Sequence, residues 1–514
     1  MTREGSGRAP YQRAPTALLA PVGRTAIVYP GFLRAAASTV VNTTRYVWSR
    51  RRRLTLEGRV AGSEYRNWSG DRRHTAVLHQ PSTVEELQEV VRTATSVRVV
   101  GSGHSFNDGL ATDGATVSLD RLAGIVRIDR DTRRVTVRAG TRLRDLTPAL
   151  LREGLAFATL ASHDAQSIGG ILSTDVHGTG RGPAHFSDCV VSLDLVDGTG
   201  ARHDGLRPDD DRFRAAVGGI GAVGIITGAT VQCVEAFTLQ QGTRVETSEW
   251  AAANLEALDA AHEHVSFYAY PFTPLVHVHT WTRTERPRSF LGAFRESLNE
   301  AKAAVAAATL GDATAHWGLL PRTATPTMRL QKPSTLALHS HEAFSRSQYH
   351  LHQELEVAVP RERVWEDLAH LLDLYERRYA GQRLPFLLVE VRFTPAGHDA
   401  SLLGAAVERD SAWLCLCANQ SGAVGDYFAD VEEWVRTSDA RVHLGKWCEG
   451  LDAADVARMH GERFARFQEV RRRLDPDGRF TNGFVRRVLG DGARPRTPDG
   501  APPEGVGAAG EQPP

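Results

Sequence analysis

The residues Gly101-Ser-Gly-His-Ser-Phe-Asn-Asp108 follow directly on the apolar run Val97-Arg-Val-Val100. Gly101 and Gly103 carry no Cβ, so their backbone N–H groups can approach a ligand closely. Successive amides in such a turn form an anion-binding concavity suited to a pyrophosphate. The next glycine comes only at Gly109 and no long helix follows, which separates this turn from the G-x-G-x-x-G dinucleotide fingerprint. A second cluster runs Ala161-Ser-His-Asp-Ala-Gln-Ser-Ile-Gly-Gly170 and continues as Ser173-Thr-Asp-Val-His-Gly-Thr-Gly180; a third is Gly218-Gly-Ile-Gly-Ala-Val-Gly-Ile-Ile-Thr227. Each alone reads as ordinary turn chemistry. The four glycines of the third suggest close approach to a planar or extended ligand, and the three in order, at these spacings, are a much more specific signal.

A different chemistry sits toward the C-terminus. In Leu388-Val-Glu-Val-Arg-Phe-Thr394 alternate side chains share a face, so Glu390 and Arg392 point together while Val389, Val391 and Phe393 point oppositely. Such a pair is either a surface ion pair, worth about 0–1 kcal/mol, or a polar pair facing a pocket. Lys446, in His443-Leu-Gly-Lys446, can bind an oxygen or stabilise developing negative charge. It serves as a base only if burial lowers its pKa well below about 10.4. Cys415 and Cys417 share a strand face and read equally as buried, inert thiols. His350 and His352 alternate without a third ligand, which reads as a strand and no metal.

The elements that must position these residues divide the chain. Its 514 residues can bury more than one core. Residues 1–60 form an extension whose positions Leu33, Ala36, Ala37, Val40, Thr44, Val47 and Trp48 recur at helical spacing, followed by Arg50–Arg53. That amphipathic helix either packs on the body of the protein or rests on an anionic membrane surface through residues 31–53. From about residue 75 to 235 short strands alternate with helices, including a helix opened by Ser82 or Thr83. Beyond about 240, longer helical stretches (250–263, 290–309, 362–379) alternate with strands (266–270, 275–281, 386–393), the pattern of an antiparallel sheet with helices. Residues 491–514 are rich in Pro and Gly and are expected to be disordered. No internal sequence repeat is evident. Zero formal net charge removes any general attraction to nucleic acid. Five scattered cysteines argue against a disulfide framework and suit a reducing, cytoplasmic setting. No secretory signal opens the chain, and no uncharged apolar run approaches the roughly 18–20 residues of a membrane span.

Taken together, the segments Val97–Asp108, Ala161–Gly180, Ala216–Val231, Leu388–Pro395, His443–Lys446 and Leu474–Leu489 resemble the vanillyl-alcohol-oxidase superfamily of FAD proteins, specifically its sugar-lactone and alditol (xylitol) oxidases. The resemblance spans about Tyr65 to Leu489. It implies an α+β fold: a two-subdomain FAD-binding domain of the PCMH type (61–240), a substrate or cap domain with an antiparallel sheet (241–440), and a C-terminal segment returning to the flavin (441–490). It implies that Gly101, Ser102, Gly103, His104, Ser105, Ala161, Ser162, Ser167, His177, Gly178, Gly224 and Ile226 hold FAD, with His104 joined covalently to the flavin 8α carbon. Ser162, Glu390, Arg392, Cys417 and Lys446 would meet the substrate, and Glu390, Arg392 and Lys446 would carry catalysis. The implied reaction is oxidation of a CH–OH group of an aldonolactone or alditol by hydride transfer to flavin N5, with oxygen or another acceptor reoxidising FAD. Ala161 stands where relatives carry Ala or Gly, which leaves oxidase and dehydrogenase both open. This chain departs from the family at Asp175 and Val176 (commonly Gly-Thr), at Leu444 (Trp) and at Cys417 (Thr in alditol oxidases). A carboxylate beside a pyrophosphate would be repelled, so Asp175 is expected to point away. The N-terminal helix, the Arg cluster, Cys417 and Leu444 motivate a second reading, a related enzyme acting on a lipid-linked or larger sugar at a membrane. A third is a flavin-binding protein without catalysis.

Overall fold

A computed structural model describes residues 59–61, 64–75, 77–292, 294, 311–345, 352–419 and 423–492. The expected helix at 31–49, most of the stretch 290–309, His350 and the tail from 493 lie outside the described residues.

The first glycine turn is placed by a small parallel sheet, ordered Val77–His79, Ala115–Ser118, Val97–Val100. Helix Val84–Thr93 begins where Thr83 Oγ1 accepts the Glu86 N–H (3.1 Å), and it buries Leu87 and Val91. This N-cap, with Glu85 and Glu86 in the first turn, sets where the helix starts. Gly101 follows immediately on the carboxyl end of strand Val97–Val100, where open α/β sheets bind their ligands. A second, antiparallel sheet of five strands runs Arg202–Leu206, Val190–Val196, Ile225–Gln232, Arg134–Arg138, Ile125–Asp129. The short helix Ile168–Ser173 packs on its strand Ile225–Gln232.

The third sheet has eight antiparallel strands in the order Ser334–His339, Thr238–Thr247, Leu275–Arg283, His264–Ala269, Leu387–Thr394, Ser411–Asn419, His352–Pro360, Arg441–Val442. It contains the same unit twice. Strand Thr238–Thr247, helix Ser248–Ala261 and the hairpin His264–Ala269/Leu275–Arg283 form one unit. Strand His352–Pro360, helix Val364–Gly381 and the pair Leu387–Thr394/Ser411–Asn419 form the other. The two join where Phe267 pairs with Val391. Sequence reading shows no repeat because the apolar pattern of a sheet tolerates any large aliphatic residue at each inward position.

Strand alternation gives this sheet two unlike faces. Across the register, Val357, Leu414, Val391, Phe267 and Val278 line up on one face, all buried. Helices Ser248–Ala261 and Val364–Gly381 cover that face, with Trp365 edge-on to Phe267 at 5.3 Å. One residue along, Glu356, Cys415, Glu390, Tyr268 and His277 line up on the other face. The 240/241 and 440/441 boundaries fall inside or beside this sheet: strand Thr238–Thr247 begins it and Arg441–Val442 ends it. Backbone pairing rather than a composition shift decides where the unit starts.

The C-terminal helices Ala453–His460, Glu462–Leu474 and Gly483–Leu489 bring the chain back to the parallel sheet, where the Val97 N–H donates to Arg479 O (2.8 Å). The fold is α+β. All five cysteines are unpaired. Among the described residues no helix is long and apolar enough to cross a membrane.

Candidate active site

One long cleft runs between the three glycine-rich segments and the polar face of the eight-stranded sheet. Gly101, Ser102, Gly103, His104, Ser105, Ala161, Ser162, Ser167, His177, Gly224, Ile226, Arg392 and Lys446 all line it. Glu390 and Cys417 stand on the same sheet face beside its wall. Gly178 is placed differently. Its N–H donates to Ala184 O (2.7 Å), and a Cβ there would meet Thr159 Oγ1 at 2.7 Å, so this glycine serves close packing against residues 159–160.

Arg98 holds the cleft's segments together from beneath. Its buried guanidinium donates to the carbonyls of Gly109 (2.6 Å), Ile220 (2.7 Å), Phe480 (2.8 Å) and Gly221 (3.3 Å). Those carbonyls come from three separate stretches of chain that sequence reading left unconnected. Hydrogen bonds to a charged group contribute about 1.5–3 kcal/mol each. Arg98→Ala is therefore expected to lower the unfolding free energy by at least about 3 kcal/mol and to weaken FAD retention. Denaturant titration and the flavin-to-protein absorbance ratio check both.

His104 lies at the other end. Its ring stacks on Trp68 (centroids 5.0 Å apart, 18°) and sits 4.3 Å from the ring of His163. Burial, with His163 beside it, holds its pKa well below the usual histidine value, so the imidazole is neutral. Burial likewise lowers His163 to about 4. His104 Nε2, His163 Nδ1 and Gln166 Oε1 are buried and make no hydrogen bond among the described residues. Such groups cost about 1–3 kcal/mol each unless a ligand meets them. Gly101 adds a cradle: a Cβ there would stand 2.9 Å from Ser167 Oγ. Ser167 in turn caps helix Ile168–Ser173 by accepting the Gly170 N–H (3.3 Å). Orphaned polar atoms and a side-chain-free backbone fit a dinucleotide such as FAD, which these residues would hold.

The same end of the cleft carries an alternation of charges. Lys446 follows edge strand Arg441–Val442 through a turn in which His443 N–H donates to Glu356 O (2.9 Å) and Trp447 N–H to Glu354 O (2.8 Å). Asn107 pins this turn to the glycine loop by donating to Leu444 O (2.8 Å) and Lys446 O (2.9 Å). Lys446 Nζ thereby makes a close ion pair with Glu354 and lies 4.0 Å from Glu356. Glu356 pairs closely with Arg392, whose Nε is 3.9 Å from Glu390; Tyr268 donates to Glu390 (2.8 Å). His352 Nε2 lies 2.7 Å from the other oxygen of Glu354.

Burial acts to lower the Lys446 pKa, but Glu354, then Cys415 and Glu356, override it and hold the ammonium above the ordinary lysine value. The condition for Lys446 to serve as a base, a pKa lowered by burial, is not met: two carboxylates keep it a cation. Burial acts to raise Glu354 and Glu356, and Lys446 and Arg392 respectively bring them well below the carboxylate range. His177, stacked on Trp413 at 3.7 Å, is held neutral by burial and then by Arg392, near pKa 3. Sequence reading missed Glu354, Glu356 and Arg98. The signal for the first two was present: Glu354-Leu-Glu356 puts two carboxylates on one strand face.

Asp175 points away from the cleft, as expected of a carboxylate there. Its backbone takes φ 51°, and its carboxylate accepts from Ser187 Oγ (2.7 Å) and lies 2.8 Å from His398 Nε2. His398 Nδ1 is 2.6 Å from Asp188 Oδ1. This buried cluster joins the FAD-side segment to the loop after strand Leu387–Thr394.

The comparisons with known proteins agree with this geometry. Residues 75–204 match the FAD binding domain model, and residues 229–488 match that of D-arabinono-1,4-lactone oxidase. The chain is 32% identical over 437 residues to L-gulono-1,4-lactone dehydrogenase of Mycobacterium tuberculosis, covering 82% of this chain and 98% of that one. It is 27% identical to L-gulonolactone oxidase of Bos taurus, covering 83% and 98%. Among solved structures, a mutant of cholesterol oxidase from Brevibacterium sterolicum superposes with a TM-score of 0.66 at 16% identity, covering 85% of this chain and 99% of that one, a likeness of fold. These family matches and relatives define an FAD-dependent oxidoreductase of the vanillyl-alcohol-oxidase type. Within that class, the chain belongs to the D-arabinono-1,4-lactone oxidase family.

Proposed function

We propose that this enzyme oxidises a CH–OH group of an aldonolactone or a related alditol, with FAD attached through His104. Bound FAD would supply the hydride acceptor, N5. The observation that carries the reading is the row Glu354, Lys446, Glu356, Arg392, Glu390 at the His104 end of the cleft, its four other members on one sheet face and Lys446 on the turn beside it. Alternating donors and acceptors suit a neutral, hydroxyl-rich molecule, whose hydroxyls both donate and accept. Glu390 and Arg392 orient the alcohol. Lys446 and Arg392, both cations, stabilise negative charge at the reacting oxygen and cannot take its proton, which is lost to solvent. Fixing the C–H toward the acceptor is the protein's main contribution. The names of the relatives support a lactone over an open polyol. The unpaired cysteines support a cytoplasmic setting.

An anaerobic screen of aldonolactones and alditols for bleaching of the flavin absorbance tests this. Bleaching by a lactone is expected, and no bleaching by any member would sink it. Readmitted air shows whether oxygen restores the colour. For the linkage, wild-type protein is expected to give a flavin-fluorescent band on an acid-soaked denaturing gel, and His104→Ala none. A dark wild-type band that stains for protein overturns the bond while leaving FAD binding intact.

A further inference from the structure

Cys415 and Cys417 leave the same face of strand Ser411–Asn419, and their Sγ atoms lie 3.7 Å apart. Directly across the register, Glu354 faces Cys417. The two sulfurs and a Glu354 carboxylate oxygen all lie within 4.8 Å of one another. Two thiolates bound to one tetrahedral Zn²⁺, with Zn–S bonds of about 2.3 Å, stand about 3.8 Å apart. The observed spacing is therefore already that of a tetrahedral edge. Two sulfurs and one carboxylate form a donor set that selects thiophilic divalent ions over Mg²⁺ or Ca²⁺. The surroundings also suit a cation: the carboxylates of Glu354, Glu356 and Glu390 outnumber the cations of Lys446 and Arg392.

We infer that Cys415, Cys417 and Glu354 form a site for a thiophilic divalent cation such as Zn²⁺, which competes with Lys446 for Glu354. A cysteine thiol, with an ordinary pKa of about 8.5, is mostly protonated at neutral pH. Binding therefore breaks two S–H bonds, forms two metal–sulfur bonds and releases two protons to solvent, with no change of oxidation state. Cys415 is buried and Cys417 half-buried, so the ion enters past Cys417. Once bound, it withdraws Glu354 from Lys446. The consequence for catalysis rests on the proposed function; the binding itself does not.

Co²⁺ reports the site, because tetrahedral thiolate Co²⁺ absorbs in the red, clear of the flavin bands. Titrating Co²⁺ into reduced, FAD-loaded wild-type protein is expected to raise that absorption to saturation at one ion per chain, with two protons released. Zn²⁺ should then abolish it. Cys415→Ser and Cys417→Ser should each remove the band, Glu354→Gln should weaken binding at least about tenfold, and Cys448→Ser, whose thiol is not one of the clustered donors, should keep it. Retained flavin absorbance certifies that each variant is folded. No red band in wild type, a band that survives the double Cys→Ser variant, or binding without proton release overturns the site. If the band forms but Zn²⁺ leaves flavin bleaching by substrate unchanged, competition with Lys446 is overturned.

Discussion

Lys446→Met is expected to slow substrate-driven flavin reduction about a hundred- to a thousandfold, the cost of removing one preorganised group that meets transition-state charge. Stopped-flow bleaching measures it. The same change strips the cation from buried Glu354 and faces Glu356 with one fewer partner. Removing one member of a buried pair typically costs about 3–5 kcal/mol. Adding Glu354→Gln to Lys446→Met should recover most of that stability and none of the rate. This split separates the lysine's electrostatic task from its structural one. If Glu354→Gln restores the rate as well, Lys446 only neutralises its neighbour. The pH profile carries a second expectation. The Lys446 pKa is raised in the folded protein, so the stability it contributes is fully present below the unfolded value, about 10.4, and is lost only as pH rises through the still higher folded value. An inflection between pH 6 and 9 in the reduction rate therefore cannot come from this group.

His398→Leu should have the largest effect on stability away from the cleft. Burial acts to lower the His398 pKa, but Asp175 and then Asp188 lift it to about 10. Asp175, which burial would raise, is brought well below the carboxylate range by His398 and His185. Removing the imidazolium leaves Asp175 buried with Ser187 as its hydrogen-bonding partner and the His185 ring 3.4 Å away, at a cost of about 3–5 kcal/mol. The signs of the two titrations differ. His398 is raised, so its contribution is complete below the unfolded value near 6.5 and is lost as pH climbs through about 10. Asp175 is depressed, so its contribution is present above about 3.9 and is lost as pH falls through its folded value. Wild-type unfolding free energy should thus decline between pH 7 and 10, and His398→Leu should flatten that decline. A parallel decline in the variant would show that other groups set the alkaline limit.

How much of this was legible beforehand differs from residue to residue. His104 sat in a glycine turn after a strand, and the order of the three glycine-rich clusters carried the family resemblance that implied FAD without any structure. Glu390 and Arg392 were placed on one face by a period of two alone, and their register opposite Cys415 and Trp413 keeps them there. These are local facts, set by Cβ direction and backbone freedom over a few residues.

The partners were not local. Glu354 stands 92 residues before Lys446, and Arg98 reaches a carbonyl 382 residues later. Nothing in either neighbourhood names its mate, because strand order in an antiparallel sheet is decided by long-range pairing and by burial of its apolar face. That pairing determined the protonation state of Lys446. The sequence alone allowed a base or a cation, since burial and nearby charge push a lysine in opposite directions. Only the tertiary structure, by setting two carboxylates against the ammonium, decided for the cation. The residues thus specified the cofactor cradle and the polar face by themselves, while the fold decided which charges meet there.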